Sequence, residues 1–198
     1  FPLTLSGWVV QIIASIIASY FILSFAEYIF HRFLMHQGLP PWAYKLVPPL
    51  ETLVFEHRKL HHQKYYHAFD HEDDPYGKDV NLRLGWEHTI LGISFFIPYL
   101  VVSALYISLI PAITFIVCAE PPAFFWHTIH LEMHQPKHPW WSRSKIYRFL
   151  GRHHYLHHQD THTGFNIVLP CFDYVVGTFY SPSDEQKAEL KRLGFLSE

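Results

Sequence analysis

The chain contains 17 histidines, more than its 15 lysines and arginines together, and most of them are grouped. Four boxes recur: HRFLMH (His31, His36), HRKLHH (His57, His61, His62), HLEMH (His130, His134) and HYLHH (His154, His157, His158). A neutral imidazole offers one nitrogen lone pair, which suits iron, zinc, copper and nickel, so repeated boxes point to metal ligation. On an α-helix, residues at i, i+3 and i+4 share a face. His130 and His134 therefore align with each other and with His127, and His154, His157 and His158 form a triad. His57 and His61 also align, but His62 lies about 140° away at about 100° per residue, and His31 and His36 are offset by the same angle. Pairs so offset do not clasp one small ion from a straight α-helix. They flank a wider, two-metal cluster or sit where a helix end unwinds. Ten imidazoles exceed the four ligands of a structural zinc and the usual three of a catalytic one. They suit two metals with about five nitrogen ligands each. A zinc-protease HExxH is absent, since Glu132 stands in the middle of HLEMH and His71-Glu72 lacks the second histidine.

The other histidines read differently. His67, His71, His88 and His138 are ordinary structural residues, whereas His127, His153 and His162 are near enough to the boxes to support a ligand or replace one. His153 points to a different face from His154 and reads as replaceable. Glu27, one turn before His31, is placed to orient an imidazole N–H, as metal-bound histidines require. Asp160 and Asp173 are further candidates, and Asn166 reads as a turn cap. Cys118 and Cys171 have no CxxC partner and read as core or lipid-facing residues.

Apolar helices must carry these boxes. No lysine or arginine occurs before Arg32 or between Leu84 and Pro136, and all 15 fall within 32–83 and 137–198. A membrane-spanning helix needs about 20 largely apolar residues. The pattern predicts an all-α integral membrane bundle, one unit over 1–198, with spans near 5–30, 86–108 and 111–134. The second and third form a hairpin that turns near Ser108–Pro111. The cap over 31–85 and 135–198 carries the boxes. No basic region precedes the first apolar stretch and no A-x-A follows it, so it does not read as a signal peptide. With a hairpin, every box and every basic residue lies on one side, which the positive-inside rule makes cytoplasmic. The expected location is the endoplasmic reticulum or bacterial inner membrane. Within the cap, 144–158 reads as a helix at the membrane surface, HEDDPYGKD as a loop, and Asp184–Leu193 as a helix opened by Ser181-Pro182-Ser183. A net charge of -2 gives no footprint for nucleic acid.

Together the boxes resemble those of the fatty acid hydroxylase superfamily, which includes fatty acid 2-hydroxylases and sterol desaturase-type enzymes. EYIFHRFLMH (Glu27 to His36) is similar to the first box, HLEMH to the HxxxH box and RHHYLHH (Arg152 to His158) to the last. Gly164-Phe165-Asn166 and the Phe172–Thr178 segment resemble the tail beyond it. The likeness covers Glu27 to Phe179. The second box here is HxxxHH where the 2-hydroxylases have HxxHH, and DDPYGKDVNLRL (Asp73 to Leu84) is an insert relative to them.

The resemblance implies two iron ions held by His31, His36, His57, His61, His62, His130, His134, His154, His157 and His158, with zinc able to occupy the site in purified protein. It implies O2 as co-substrate and a membrane lipid, such as a fatty acyl chain or sterol, hydroxylated or desaturated at an unactivated C–H bond. Electrons would come from a separate partner such as cytochrome b5, or ferredoxin with a reductase. Two other classes are distinguishable. A zinc-dependent lipid hydrolase needs a carboxylate base among the ligands. A metal transporter or binding protein needs ligands spread along the spans.

Overall fold

The computed structural model describes residues 5–66, 69 and 86–196. The expected HEDDPYGKD loop, the Asp73–Leu84 insert, His67 and His71 lie outside them. Every element among the described residues is helical, with no strand. α1 (Leu5–Ile29) continues as a π-helix over Phe30–Gln37, and two short helices follow, α2 (Pro41–Leu46) and α3 (Pro49–Phe55). α3 in turn continues as a π-helix over Glu56–Tyr65. Then come α4 (Trp86–Tyr106), α5 (Leu109–His134), a 3-10 turn at Trp140–Arg143, α6 (Lys145–Gln159), α7 (Cys171–Val176) and α8 (Asp184–Arg192).

α1 packs along α5, and α5 against α4. Gln11 Nε2 donates to Ser108 Oγ (2.7 Å), which ties the early part of α1 to the turn between α4 and α5. α1 and α5 therefore run parallel, and both arrive with their histidines at the far end. Ser108 also caps α5 through the Ile110 N–H. The turn comes slightly earlier than the expected Ser108–Pro111, so the hairpin helices are 86–106 and 109–134, with Pro111 in the first turn of α5.

Two helices are long and apolar enough to cross a membrane: Leu5–Gln37 and Leu109–His134. In α4 the apolar helix counted among the described residues is the shorter Ser94–Tyr106. Only 22% and 18% of the most apolar windows of the two long helices are buried, the reverse of a soluble core helix. α1 buries Ser15, Ser19, Ser24 and Ala26, while Ile12, Ile13, Ile16, Ile17 and Phe21 face outward. Ser15 and Ser19 satisfy their hydroxyls on the carbonyls one turn back (2.7 Å each), so they add no unpaired polar group to the interface. Small residues inside and large apolar ones outside is the pattern of helices packed in lipid.

A separate hydrophobic core lies beside the histidine-bearing end of α5. Phe69, Met133, Tyr147, Leu150, Leu156, Leu190 and Phe195 form it, joining α5, α6 and α8. α6 starts where Ser144 Oγ accepts the Tyr147 N–H (3.1 Å). It differs from the expected surface helix: His153, His154, Tyr155, Leu156 and His157 are all buried. Its histidines, polar on a hydropathy scale, face inward because they meet polar partners there, Asp173 for His153 and other histidines for His154 and His157. Gly151 lets the Phe195 ring lie against α6, where a Cβ would overlap the ring. α8 opens on a capping box in which Ser183 and Gln186 satisfy each other's backbone N–H.

Candidate metal centre

The two boxes with five-residue spacing are the two π-helices. An i→i+5 hydrogen-bond pattern brings residues five apart into register. The offset expected for an α-helix therefore vanishes: His31 and His36 bring their Nε2 atoms to 3.3 Å, and His57 and His62 to 3.1 Å. π-helical turns of this kind concentrate at functional sites.

Nine of the ten boxed histidines gather into two adjoining groups, and the tenth, His158, lies between them. His31, His36, His57, His62 and His157 form one, and His61, His130, His134 and His154 the other. Within each group the possible ligand atoms lie within 4.8 Å of one another. His158 groups with His61 and His62 at the seam, and its ring stacks on His62 at 4.1 Å. In the first group, Nε2 atoms stand 3.0 Å apart for His31–His57, 3.1 Å for His36–His57 and 2.9 Å for His36–His157. In the second, His134 and His154 Nε2 stand 3.0 Å apart. The His130 ring centroid lies 4.9 Å from that of His134 and 4.6 Å from that of His154. The second box bridges the groups, since His61 belongs to one and His57 and His62 to the other.

Four of the outer nitrogens face backbone carbonyls. Those of His31 (to Phe165 O, 2.5 Å), His157 (to Thr163 O, 2.6 Å), His134 (to Phe69 O, 2.6 Å) and His158 (to Tyr66 O, 3.2 Å) are all Nδ1. An Nδ1–H donated to a carbonyl fixes the tautomer and leaves the Nε2 lone pair pointing inward. Burial, and then the neighbouring imidazoles, hold His57, His61, His62 and His154 well below the ordinary histidine pKa. His157 and His158 are lowered in the same way. The rings are neutral at physiological pH.

This donor set fits metal ions. With Nδ1 protonated, His31 and His157 can only accept at Nε2. His57 and His36 would then have to donate to them, leaving the close His36–His57 contact with two donors and no acceptor. A cation that receives every lone pair removes the conflict. Nitrogens bonded at about 2.1 Å to one metal stand about 3.0 Å apart at right angles and about 3.4 Å apart in a tetrahedron, and the contacts here are 2.9–3.3 Å. Among the described residues neither nitrogen of the buried His130 has a hydrogen-bond partner, nor does Nε2 of His158, and unpaired buried polar atoms are costly.

No family model, curated protein or solved structure matches this chain. The geometry alone supports a histidine centre able to hold metal ions.

The expected supporting carboxylates act elsewhere. Glu27 orients no imidazole. Its oxygens accept the N–H groups of Ile167, Val168 and Leu169 and the Asn166 amide, at 2.9–3.1 Å. It holds the loop that supplies the carbonyls of Thr163 and Phe165 to His157 and His31. Asp160 is exposed and accepts the His162 N–H (3.0 Å), away from the clusters. Asp173, the weaker candidate, is fully buried and holds the same loop through Phe165 N–H (3.0 Å), Asn166 N–H (2.7 Å) and the Thr178 hydroxyl (2.6 Å). Burial alone would raise its carboxyl. The His153 hydrogen bond and charge, with Thr178 and the Asn166 amide, hold it below the ordinary value instead.

His153 corrects another expectation. It is not spare: Nε2 meets Asp173 Oδ2 at 2.9 Å, both groups buried. Removing one partner of a buried pair is costly. His153→Ala is expected to lower stability by about 3 kcal/mol, whereas His153→Gln, which can still donate, loses less. Thermal melts of the two variants check this; an unchanged alanine variant would make His153 dispensable. His127 is half-buried and His162 exposed, both outside the groups. Glu132, the carboxylate inside the third box, accepts the N–H groups of Lys137 and His138 and so closes the turn after α5.

Proposed function

We propose that the protein is a membrane di-iron oxidoreductase that hydroxylates, or desaturates, an unactivated C–H bond of a lipid. The observation that carries the reading is the partition of four histidine boxes into two adjoining, buried, all-imidazole groups at the end of helices with apolar outer faces. The resemblance of the boxes to those of the fatty acid hydroxylase superfamily supports the same chemistry. In this reading α4 is a third span and the basic cap is cytoplasmic, by the distribution of lysine and arginine.

Two iron ions in these groups supply the activation of O2 with two electrons and two protons, giving a hydroxylated carbon and water, or an alkene and two waters. The chain's own residues do the rest. His31 and His36 with His57, His62 and His157 hold one ion. His61, His130, His134 and His154, joined by His158, hold the other. Backbone carbonyls at 66, 69, 163 and 165 set the tautomers of His158, His134, His157 and His31, and burial shields all the boxed rings but His36 and His158. The apolar helix faces deliver lipid. A cavity of about 400 Å³ lined by Arg32, Arg58, Thr161 and His162 opens on His36, His62 and His158. Through that polar mouth a separate electron donor, such as cytochrome b5 or a ferredoxin, comes closest to the centre. A zinc hydrolase would need a carboxylate base here, and Glu132 is engaged with backbone. A transporter would spread its ligands along the helices rather than gather them at one end.

Lipid profiling under 18O2 tests this reading. A host making the wild-type chain is expected to accumulate a lipid carrying one 18O on carbon, or an oxygen-dependent alkene. The same host making His157→Ala should accumulate neither. An iron-loaded wild type that changes no lipid would sink the oxidoreductase assignment.

A further inference from the structure

A second cavity, of about 470 Å³, is lined by none of the ten boxed histidines. It is bounded by the last turn of α5, the start of α6 and the end of α8. Arg143, Arg148, Arg192 and His138 line it, over an apolar floor of Met133 and Phe195. Arg192 is already engaged with Glu189 (2.6 Å). Among the described residues Arg143 and Arg148 have no acidic partner within ion-pair distance. The one carboxylate in the wall, Glu132, is buried and turned to backbone N–H groups. Tyr147, also in the wall, is pushed well above the ordinary phenol value by burial and then by the Glu132 charge, so it stays neutral. The cleft thus offers two free guanidinium groups, which match the oxygens of a phosphate.

Its position selects the source of that phosphate. Met133 belongs to the last turn of α5, so the floor lies where a candidate membrane helix ends. Trp140 (86% exposed) and Ile146 (71% exposed) flank Arg143 along the chain. An exposed tryptophan and isoleucine beside arginines form an interfacial pattern, with rings at headgroup level and cations on anionic lipid. We propose that this cleft binds the phosphate of an anionic phospholipid, anchoring the turn behind the third histidine box to the membrane surface. This rests on reading α5 as a span and not on the metal assignment.

The test uses the full chain in a zwitterionic detergent. It is titrated with dihexanoyl phosphatidic acid, dihexanoyl phosphatidylcholine and inorganic phosphate, and read by thermal shift and native mass spectrometry. Saturable binding of phosphatidic acid, at least tenfold tighter than either other probe, is expected. Arg143→Gln/Arg148→Gln should lose at least tenfold, and Arg58→Gln, at the other cavity, should lose nothing. Equal binding of phosphatidylcholine or of inorganic phosphate overturns the proposal, as does a double variant that binds like wild type. Arg143→Gln alone, at an exposed site, serves if the double variant does not fold. Metal content read on the same samples keeps a failure here distinct from a failure of the metal reading.

Discussion

His157→Ala is expected to lose one bound metal ion and keep the other, and His154→Ala to lose the opposite ion. The two residues lie three apart on α6, yet His157 belongs to the group with both π-helical pairs and His154 to the group with the third box. Each ring would supply one of four or five nitrogens to an ion held there. Losing a residue that only supports a ligand weakens metal affinity roughly 10- to 100-fold, and losing the ligand itself should exceed that. Metal analysis after dialysis against a weak competitor separates the two variants. Loss of both ions from both variants, with the helical signal intact, would mean a single interdependent cluster. Loss of neither would mean that these nitrogens do not bind metal.

Glu27→Ala has a comparably large effect through a different route. Its carboxylate is acceptor to three backbone N–H groups and one side-chain amide of the 166–169 loop. Each group left unsatisfied costs about 1–3 kcal/mol, so a loss of at least about 4 kcal/mol is expected. At about 2–4 °C per kcal/mol for a chain of this size, the melting temperature should fall by about 10 °C. The same loop presents carbonyls 163 and 165 to His157 and His31. The first metal group should therefore weaken while the second holds. Glu27→Gln keeps one acceptor oxygen and should fall between. A Glu27→Ala protein that melts like wild type with both ions retained would remove Glu27 from this role.

The four boxes were legible because imidazoles at helical spacing have few other uses, and all ten boxed residues do come together. The geometry of two boxes was not legible. His31–His36 and His57–His62 look misaligned on the α-helical period, and only a π-helix makes five-residue spacing coincide. The spacing itself was the sole signal. The orientation of the rings was also hidden, because it comes from backbone carbonyls at 66, 69, 163 and 165, and a carbonyl carries no residue type. Glu27 stands one turn from His31 in the sequence, yet its partners are backbone N–H groups and an amide of the 166–169 loop. His153 read as spare because its partner, Asp173, lies 20 residues away. The burial of α6 was missed for a related reason: histidines count as polar until something inside the protein needs them. The apolar stretches were plain, but not the face on which α1 packs, which is marked by small inward serines rather than by its large apolar residues.

Metal analysis of chelator-free protein, by mass spectrometry with protein quantified by amino-acid analysis, bears most directly on the proposal of two metal ions. About two ions per chain are expected, iron or zinc in its place, falling to about one in His157→Ala and in His154→Ala. One ion or none in the folded wild-type chain, with all ten boxed histidines intact and metal supplied during expression, would contradict it.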